Sequence, residues 1–302
     1  MIKILTGILI YLCLSANTWA YETFRPPGQI INLGYHQMYY DCRGDKSPTV
    51  VIDVGLGDAS ANWLGIANAL SMDVRVCTYD RAGYGYSGVG PGARTTAQIA
   101  DELDVLLEFA KIPGPYIMVG HSFGGYTAQY FVTTYTNKSA GLVLVDSSHP
   151  EQIERLKAME KHRTSDRKTN LLKRGLPTDH LSQIEKFWHS LNQSRKATFT
   201  QMDEMKYFAK SGEQVKQAQK KIDLPVAVIT RGKEYLPYVE GESMEEVWQT
   251  MQKELLEISS NSWQEIALKS GHNIYRDEPE IIVKNIRKVV KEFRNSRIIS
   301  MQ

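Results

Sequence analysis

Hydrophobic and polar positions alternate between two rhythms along most of the chain. Residues 29–33 and 36–42 flank Gly34 and read as a hairpin. Pro48 introduces the short apolar run 49–54 (Thr-Val-Val-Ile-Asp-Val), the pattern of a strand buried on both faces of a parallel sheet. Similar runs recur at 74–79, 116–119, 140–145 and 224–230, and a last strand is expected at 262–269. Helical spacing fills the gaps, at 59–70, 95–110, 124–135, 242–259 and 277–295; in the second of these Ile99, Leu103, Leu106, Leu107 and Ala110 share one face. Pro113-Gly114-Pro115 stops that helix. Strand–helix alternation with short links predicts an α/β protein whose sheet is mostly parallel with right-handed crossovers. The rhythm breaks over 151–221, which holds no convincing buried strand but has helical patches such as Ile184, Phe187, Trp188 and Leu191. This stretch reads as a helical insertion over one end of the sheet. Its Lys-rich part, 206–221, reads as a solvated helix face.

Residues 1–20 follow neither rhythm. Lys3 is their only charge, 4–14 is almost wholly apolar, and a polar Ser15-Ala16-Asn17-Thr18 precedes Trp19 and Ala20. That is the layout of a signal peptide, with Thr18 and Ala20 as the small residues at the cut. The apolar stretch is well short of the ~20 residues that a membrane-spanning helix needs. The expectation is export to a secreted or periplasmic location, with 21–302 as the mature domain; an uncleaved N-terminal anchor is the alternative. No other segment has the character of a membrane span.

Composition narrows the classes further. The 302 residues are 42% hydrophobic and 23% charged with a mean hydropathy of -0.35, which is globular and excludes a mainly disordered chain. Lys and Arg total 36 against 34 Asp and Glu, a net charge of +2, so a nucleic-acid partner is not indicated. Three cysteines exclude a disulfide-dense scaffold. Removal of the signal would leave Cys42 and Cys77, either bonded in an oxidising compartment or present as two buried thiols.

The candidate chemistry begins after the strand at 116–119, with Gly120-His121-Ser122-Phe123-Gly124 and then Gly125. This is G-x-S-x-G at a strand-to-helix junction. A turn that tight needs small flanking residues, lifts the Ser122 hydroxyl above the sheet edge and leaves the Phe123 N–H at a helix N-terminus, ready for an oxyanion. A neutral serine is a poor nucleophile and needs a base. Of the seven histidines, His36 lies in the hairpin, His121 abuts the serine, His149 follows the sixth strand, and His162, His180 and His189 lie in the insertion. His272, after the last strand and led in by Ser270-Gly271, is the candidate base; His121 is expected to sit behind the serine.

Four stretches in order resemble the α/β-hydrolase family, over about residues 29–293: the serine turn, Val51-Ile52-Asp53-Val54-Gly55-Leu56-Gly57, Tyr79-Asp80-Arg81-Ala82-Gly83-Tyr84-Gly85-Tyr86-Ser87, and Ser270-Gly271-His272-Asn273 with Asp277 and Pro279 beyond. The resemblance implies an eight-stranded, mostly parallel sheet flanked by helices, with the insertion as a lid. It implies the Leu56 and Phe123 amides as oxyanion donors, and Asp80 holding the glycine loop through Arg81 or backbone donors. The family commonly carries its acid three residues after a glycine following strand 7. Here Gly232 is followed by Lys233, Glu234 and Tyr235, so the acid falls on Asp146 at the end of strand 6, with Glu234 as the alternative. Strands 2 and 4 are neighbours in the family, which would bring Cys42 beside Cys77. The implied activity is cleavage of a small or medium carboxylic ester through Ser122, His272 and an acyl-enzyme. No cofactor or metal is called for, since no H-E-x-x-H, paired-Cys or G-x-x-x-x-G-K-[ST] motif occurs. Dehalogenase and epoxide-hydrolase chemistry would need an Asp where Ser122 stands. Amide hydrolysis, acyl transfer, and a hydrolase-like binding protein with little turnover stay open. The pocket is expected to be apolar and aromatic, shaped by Trp63 and its loop, the 84–92 loop and the insertion.

Overall fold

The computed structural model describes residues 27–160, 190–234, 236, 238–239 and 242–300. The export segment expected at 1–20 lies outside them, as do His162, His180, His189 and the helical patch at 184–188.

The strands are β1 (Gln29–Asn32), β2 (Gln37–Arg43), β3 (Thr49–Asp53), β4 (Arg75–Asp80), β5 (Tyr116–His121), β6 (Ser139–Val145), β7 (Val226–Arg231), β8 (Tyr238–Val239), β9 (Glu242–Ser243) and β10 (Ser262–Ala267). The helices are α1 (Leu64–Leu70), α2 (Thr96–Phe109), α3 (Gly124–Thr134), α4 (Gln152–Glu160), α5 (Arg195–Lys206), α6 (Phe208–Ala218), α7 (Met244–Glu254), α8 (Ile274–Asp277) and α9 (Pro279–Ser300). Eight strands form one sheet in the order β1-β2-β4-β3-β5-β6-β7-β10, and β8 and β9 form a small antiparallel ladder of their own. The β1–β2 and β2–β4 pairs are antiparallel, and every other pair in the large sheet is parallel.

The period of two along each strand divides the core between the two faces of the sheet. Val50, Ile52, Ile117, Val119, Val145 and Ile229 pack with Ile66 and Leu70 of α1 and Ile282, Ile286 and Val289 of α9. Val51, Met118, Leu142, Leu144 and Val228 pack on the other face with Leu103, Leu106 and Leu107 of α2 and Phe131 and Val132 of α3. Complete burial of one such side chain contributes roughly 1.5–3 kcal/mol, so both faces draw on a large hydrophobic term. Helix starts follow local chemistry: the Thr95, Ser194 and Ser243 side chains accept from backbone N–H groups in the first turns of α2, α5 and α7.

The antiparallel β2–β4 register pairs Cys42 directly with Cys77, and the two are joined in a disulfide. The expected helix at 59–70 is a 3-10 turn, Ser60–Trp63, that runs into α1. Pro279 likewise separates the short α8 from α9, where one closing helix was expected. Trp63 was expected to help shape the pocket. It is fully buried, stacks on Tyr275 with ring centroids 5.0 Å apart, and packs against His121. Among the described residues, no helix is long and apolar enough to cross a membrane.

The strand order fixes where a site forms. From β3 the chain steps to β4 on one side and then returns to place β5 on the other. The connections that leave the carboxyl ends of the paired strands β3 and β5 therefore part in opposite directions at a switch point, the usual location of a crevice in an open α/β sheet.

Candidate active site

Ser122 follows β5 at that switch point with φ 51°, in the left-handed region where a side chain is strained. Packing enforces the turn. A Cβ at Gly120 would lie 2.6 Å from the Gly124 carbonyl oxygen, and one at Gly124 would lie 2.4 Å from the Asp53 carbonyl oxygen. The Ser122 N–H donates to the Val145 carbonyl at 3.2 Å, tying the turn to the end of β6.

His272 lies in the loop between β10 and α8, and its Nε2 is 3.0 Å from Ser122 Oγ. Its Nδ1 is 2.6 Å from Asp146 Oδ2. Asp146 follows β6 with φ 40° and is fully buried, whereas His272 keeps a quarter of its side chain exposed. The acid against His272 is therefore Asp146. Glu234, the alternative acid, is exposed beyond β7.

Burial by itself would raise the Asp146 carboxyl. The hydrogen bond and charge of His272, the charge of Arg231 and the Trp248 indole outweigh it and bring the group down to about 2. An anionic Asp146 accepts the Nδ1 proton of His272, which leaves the Nε2 lone pair to accept from the Ser122 hydroxyl.

His121 sits behind the serine as expected. It is buried, its Nε2 donates to the His272 carbonyl at 2.9 Å, and its ring lies 4.9 Å from that of His272. Burial, then the His272 charge, lower it to about 3, so it is a neutral spacer at ordinary pH.

The β3 loop meets the serine from the other side. A Cβ at Gly55 would lie 3.4 Å from the Ser122 Cβ, which places the Leu56 amide next to the turn. Among the described residues, neither the Leu56 nor the Phe123 N–H is taken by an acceptor.

Asp80 holds the glycine loop through backbone and hydroxyl donors. It accepts from the Ser60 N–H and hydroxyl at 3.2 and 2.6 Å and from the Tyr86 N–H at 3.0 Å. Arg81 turns the other way. Its guanidinium donates to Asp53 Oδ1 and the Val54 carbonyl at 2.6 Å, the Gly55 carbonyl at 2.9 Å, and Glu204 Oε1 of α5 at 2.9 Å. Tyr84 donates its hydroxyl to the same Glu204 at 2.7 Å. Phe208 at the start of α6 packs on Phe123 and Tyr126. Helices α5 and α6 thus seat directly on the serine turn and the loops beside it.

Sequence reasoning missed Arg231, Trp248, Glu245 and Glu204. Arg231 has a visible signal, a cation closing an otherwise apolar strand. The two α7 residues and Glu204 have none, because their partners are distant in the chain. Among the described residues, no group of His, Cys, Asp and Glu side chains could hold a metal ion.

The family model described as alpha/beta hydrolase fold matches residues 48–249, which include the serine turn, the β3 loop and Asp146. The chain belongs to the α/β-hydrolase fold family. It is similar to "AB hydrolase superfamily protein" from Gibberella zeae, at 27% identity over 92% of this chain and 99% of that one. It is also similar to "Probable transporter efuK" from Hormonema carpetanum, at 26% identity over 93% of this chain, which spans 45% of that longer protein. A haloalkane dehalogenase loop variant from Bradyrhizobium elkanii shares the fold, with a TM-score of 0.67 at 16% identity, covering 90% of this chain and 98% of that one. The family is one of hydrolases. The residues at the switch point bear on which bond it cleaves.

Proposed function

We propose that the chain is a serine hydrolase that cleaves carboxylic esters through an acyl-enzyme. The observation that carries this reading is the hydrogen-bond chain from Ser122 Oγ through His272 to Asp146. Ser122 attacks the ester carbonyl carbon as its proton passes to His272 Nε2, and Asp146 stabilises the imidazolium. The Leu56 and Phe123 amides hold the oxyanion of the tetrahedral intermediate. Collapse expels the alcohol, which takes the proton from His272, and water repeats the attack to release the acid. A dehalogenase shares the fold, but its chemistry needs a carboxylate where this chain has Ser122. The insertion around α4, α5 and α6 acts as the lid. The N-terminal pattern of residues 1–20 and the Cys42–Cys77 bond favour an exported protein. Hydrolysis of a panel of p-nitrophenyl esters of increasing acyl length tests the reading. Ser122→Ala is expected to lower kcat by roughly 10⁴-fold or more on every cleaved ester. Equal turnover by the variant would refute it.

A further inference from the structure

The end of β7, where the family commonly carries its acid, holds a buried cation instead. Arg231 Nη1 lies 2.6 Å from Asp146 Oδ2, the same oxygen that His272 Nδ1 contacts at 2.6 Å. Arg231 Nη2 lies 2.9 Å from Glu245 Oε2, and the guanidinium stacks over the Trp248 ring at 4.6 Å. Trp248 in turn donates its indole N–H to Asp146 Oδ1 at 2.9 Å. Glu245 and Trp248 are three residues apart on α7, so one helix face delivers the counter-ion and the indole together. Glu245 is fixed by the Leu236 N–H at 3.2 Å and the Gln249 amide at 3.2 Å.

This arrangement raises a problem in charge. A lone arginine on the oxygen that His272 uses would cancel the anion meant to stabilise the imidazolium. A carboxylate on the far side of the guanidinium removes the conflict: Asp146, Arg231 and Glu245 together carry one negative charge, as Asp146 alone would. We propose that Arg231 and Glu245 are a charge-compensating positioning pair, Arg231 pinning the Asp146 carboxylate and Glu245 restoring the net negative charge that His272 faces. The inference rests on the proposed roles of Ser122, His272 and Asp146. Among the described residues, the other groups near this cluster are His121, whose Nε2 meets the His272 carbonyl, Tyr275 and Arg276 of α8 beside His121, Asp277 on the Gly271 N–H, and Glu278 on the Ser270 hydroxyl.

Charge compensation makes a prediction that simple bracing does not, because the two single variants must act in opposite directions. Glu245→Gln leaves the arginine uncompensated and disfavours the imidazolium. The acid limb of the kcat/KM–pH profile is expected to move down by about one pH unit. Arg231→Met leaves two carboxylates and moves the limb up by a similar amount. The double variant has the wild-type net charge, and its limb is expected to return to the wild-type position, at reduced kcat. NMR titration of the His272 ring in the same four proteins should move in the same directions, whether or not any ester turns over. A failure of the hydrolase reading would appear as absent turnover in the wild type with these ring shifts still present. Folded single variants whose rings shift the same way, or do not shift, would overturn the pair.

Discussion

Ser122 and Asp146 both end a buried strand and both have positive φ, 51° and 40°. The serine was legible because its turn needs a particular run of small neighbours, and Gly120 and Gly124 supply it. His272 was legible by position, in a short loop after the last strand. The carboxylate was legible only as a choice of two, Asp146 favoured over Glu234, because both follow strands that converge on the same end of the sheet. Burial separates them. Asp146 is enclosed and saturated by His272, Arg231 and Trp248, while Glu234 faces solvent. Nothing along the chain encodes that difference, since the residues that enclose Asp146 come from β7, α7 and the 272 loop. Asp146→Asn is expected to lower kcat on esters by roughly 10³- to 10⁴-fold, by presenting His272 in the wrong tautomer. Glu234→Gln should stay within about twofold of wild type, and steady-state kinetics on one ester compares the two.

The central strands and the helices packed on them follow the apolar periodicity closely, because β3, β5, β6 and β7 are buried along their whole length. The insertion is less legible, since α5 and α6 are held by single polar and aromatic anchors rather than by a continuous stripe. Arg81 is one such anchor of α5. The sequence placed it as a possible partner of Asp80, but Ser60 and Tyr86 saturate that carboxylate. Arg81 instead bridges Glu204 of α5 to Asp53 and to the carbonyls of Val54 and Gly55. Because a trans peptide points its C=O and N–H in opposite directions, fixing the Gly55 carbonyl also fixes the direction of the Leu56 N–H. Arg81→Met would leave the Asp53 and Glu204 carboxylates buried without their cation. The expected cost is about 3–5 kcal/mol, or on the order of 10 °C in Tm for a chain of this size. A thermal melt in which the variant matches wild type would show that the anchor carries no stability.

Across the whole molecule, the lowered groups set the response to acid. Burial lowers His121 to about 3, and burial with the Arg155 charge lowers His149 to about 4, whereas an unfolded histidine titrates near ~6.5. Between these values the unfolded chain binds protons that the folded chain refuses. The stability is complete above about pH 6.5 and is lost as pH falls toward the folded values. Asp146, held at about 2, adds its own loss only below about pH 4. Burial raises Asp80 and Glu204, which works in the opposite sense at the acid end, so the histidines are read most cleanly between about pH 7 and 5. Urea midpoints are expected to fall across that window, and more gently in His149→Gln. A flat wild-type profile would contradict this. The central claim, an activated serine at the switch point of the sheet, is tested most directly by covalent labelling with a fluorophosphonate probe followed by mapping of the modified peptide. The account predicts one adduct, on Ser122, that is lost in Ser122→Ala and slowed in His272→Ala. Folded protein that stays unlabelled, or an adduct on another residue that survives Ser122→Ala, would contradict it.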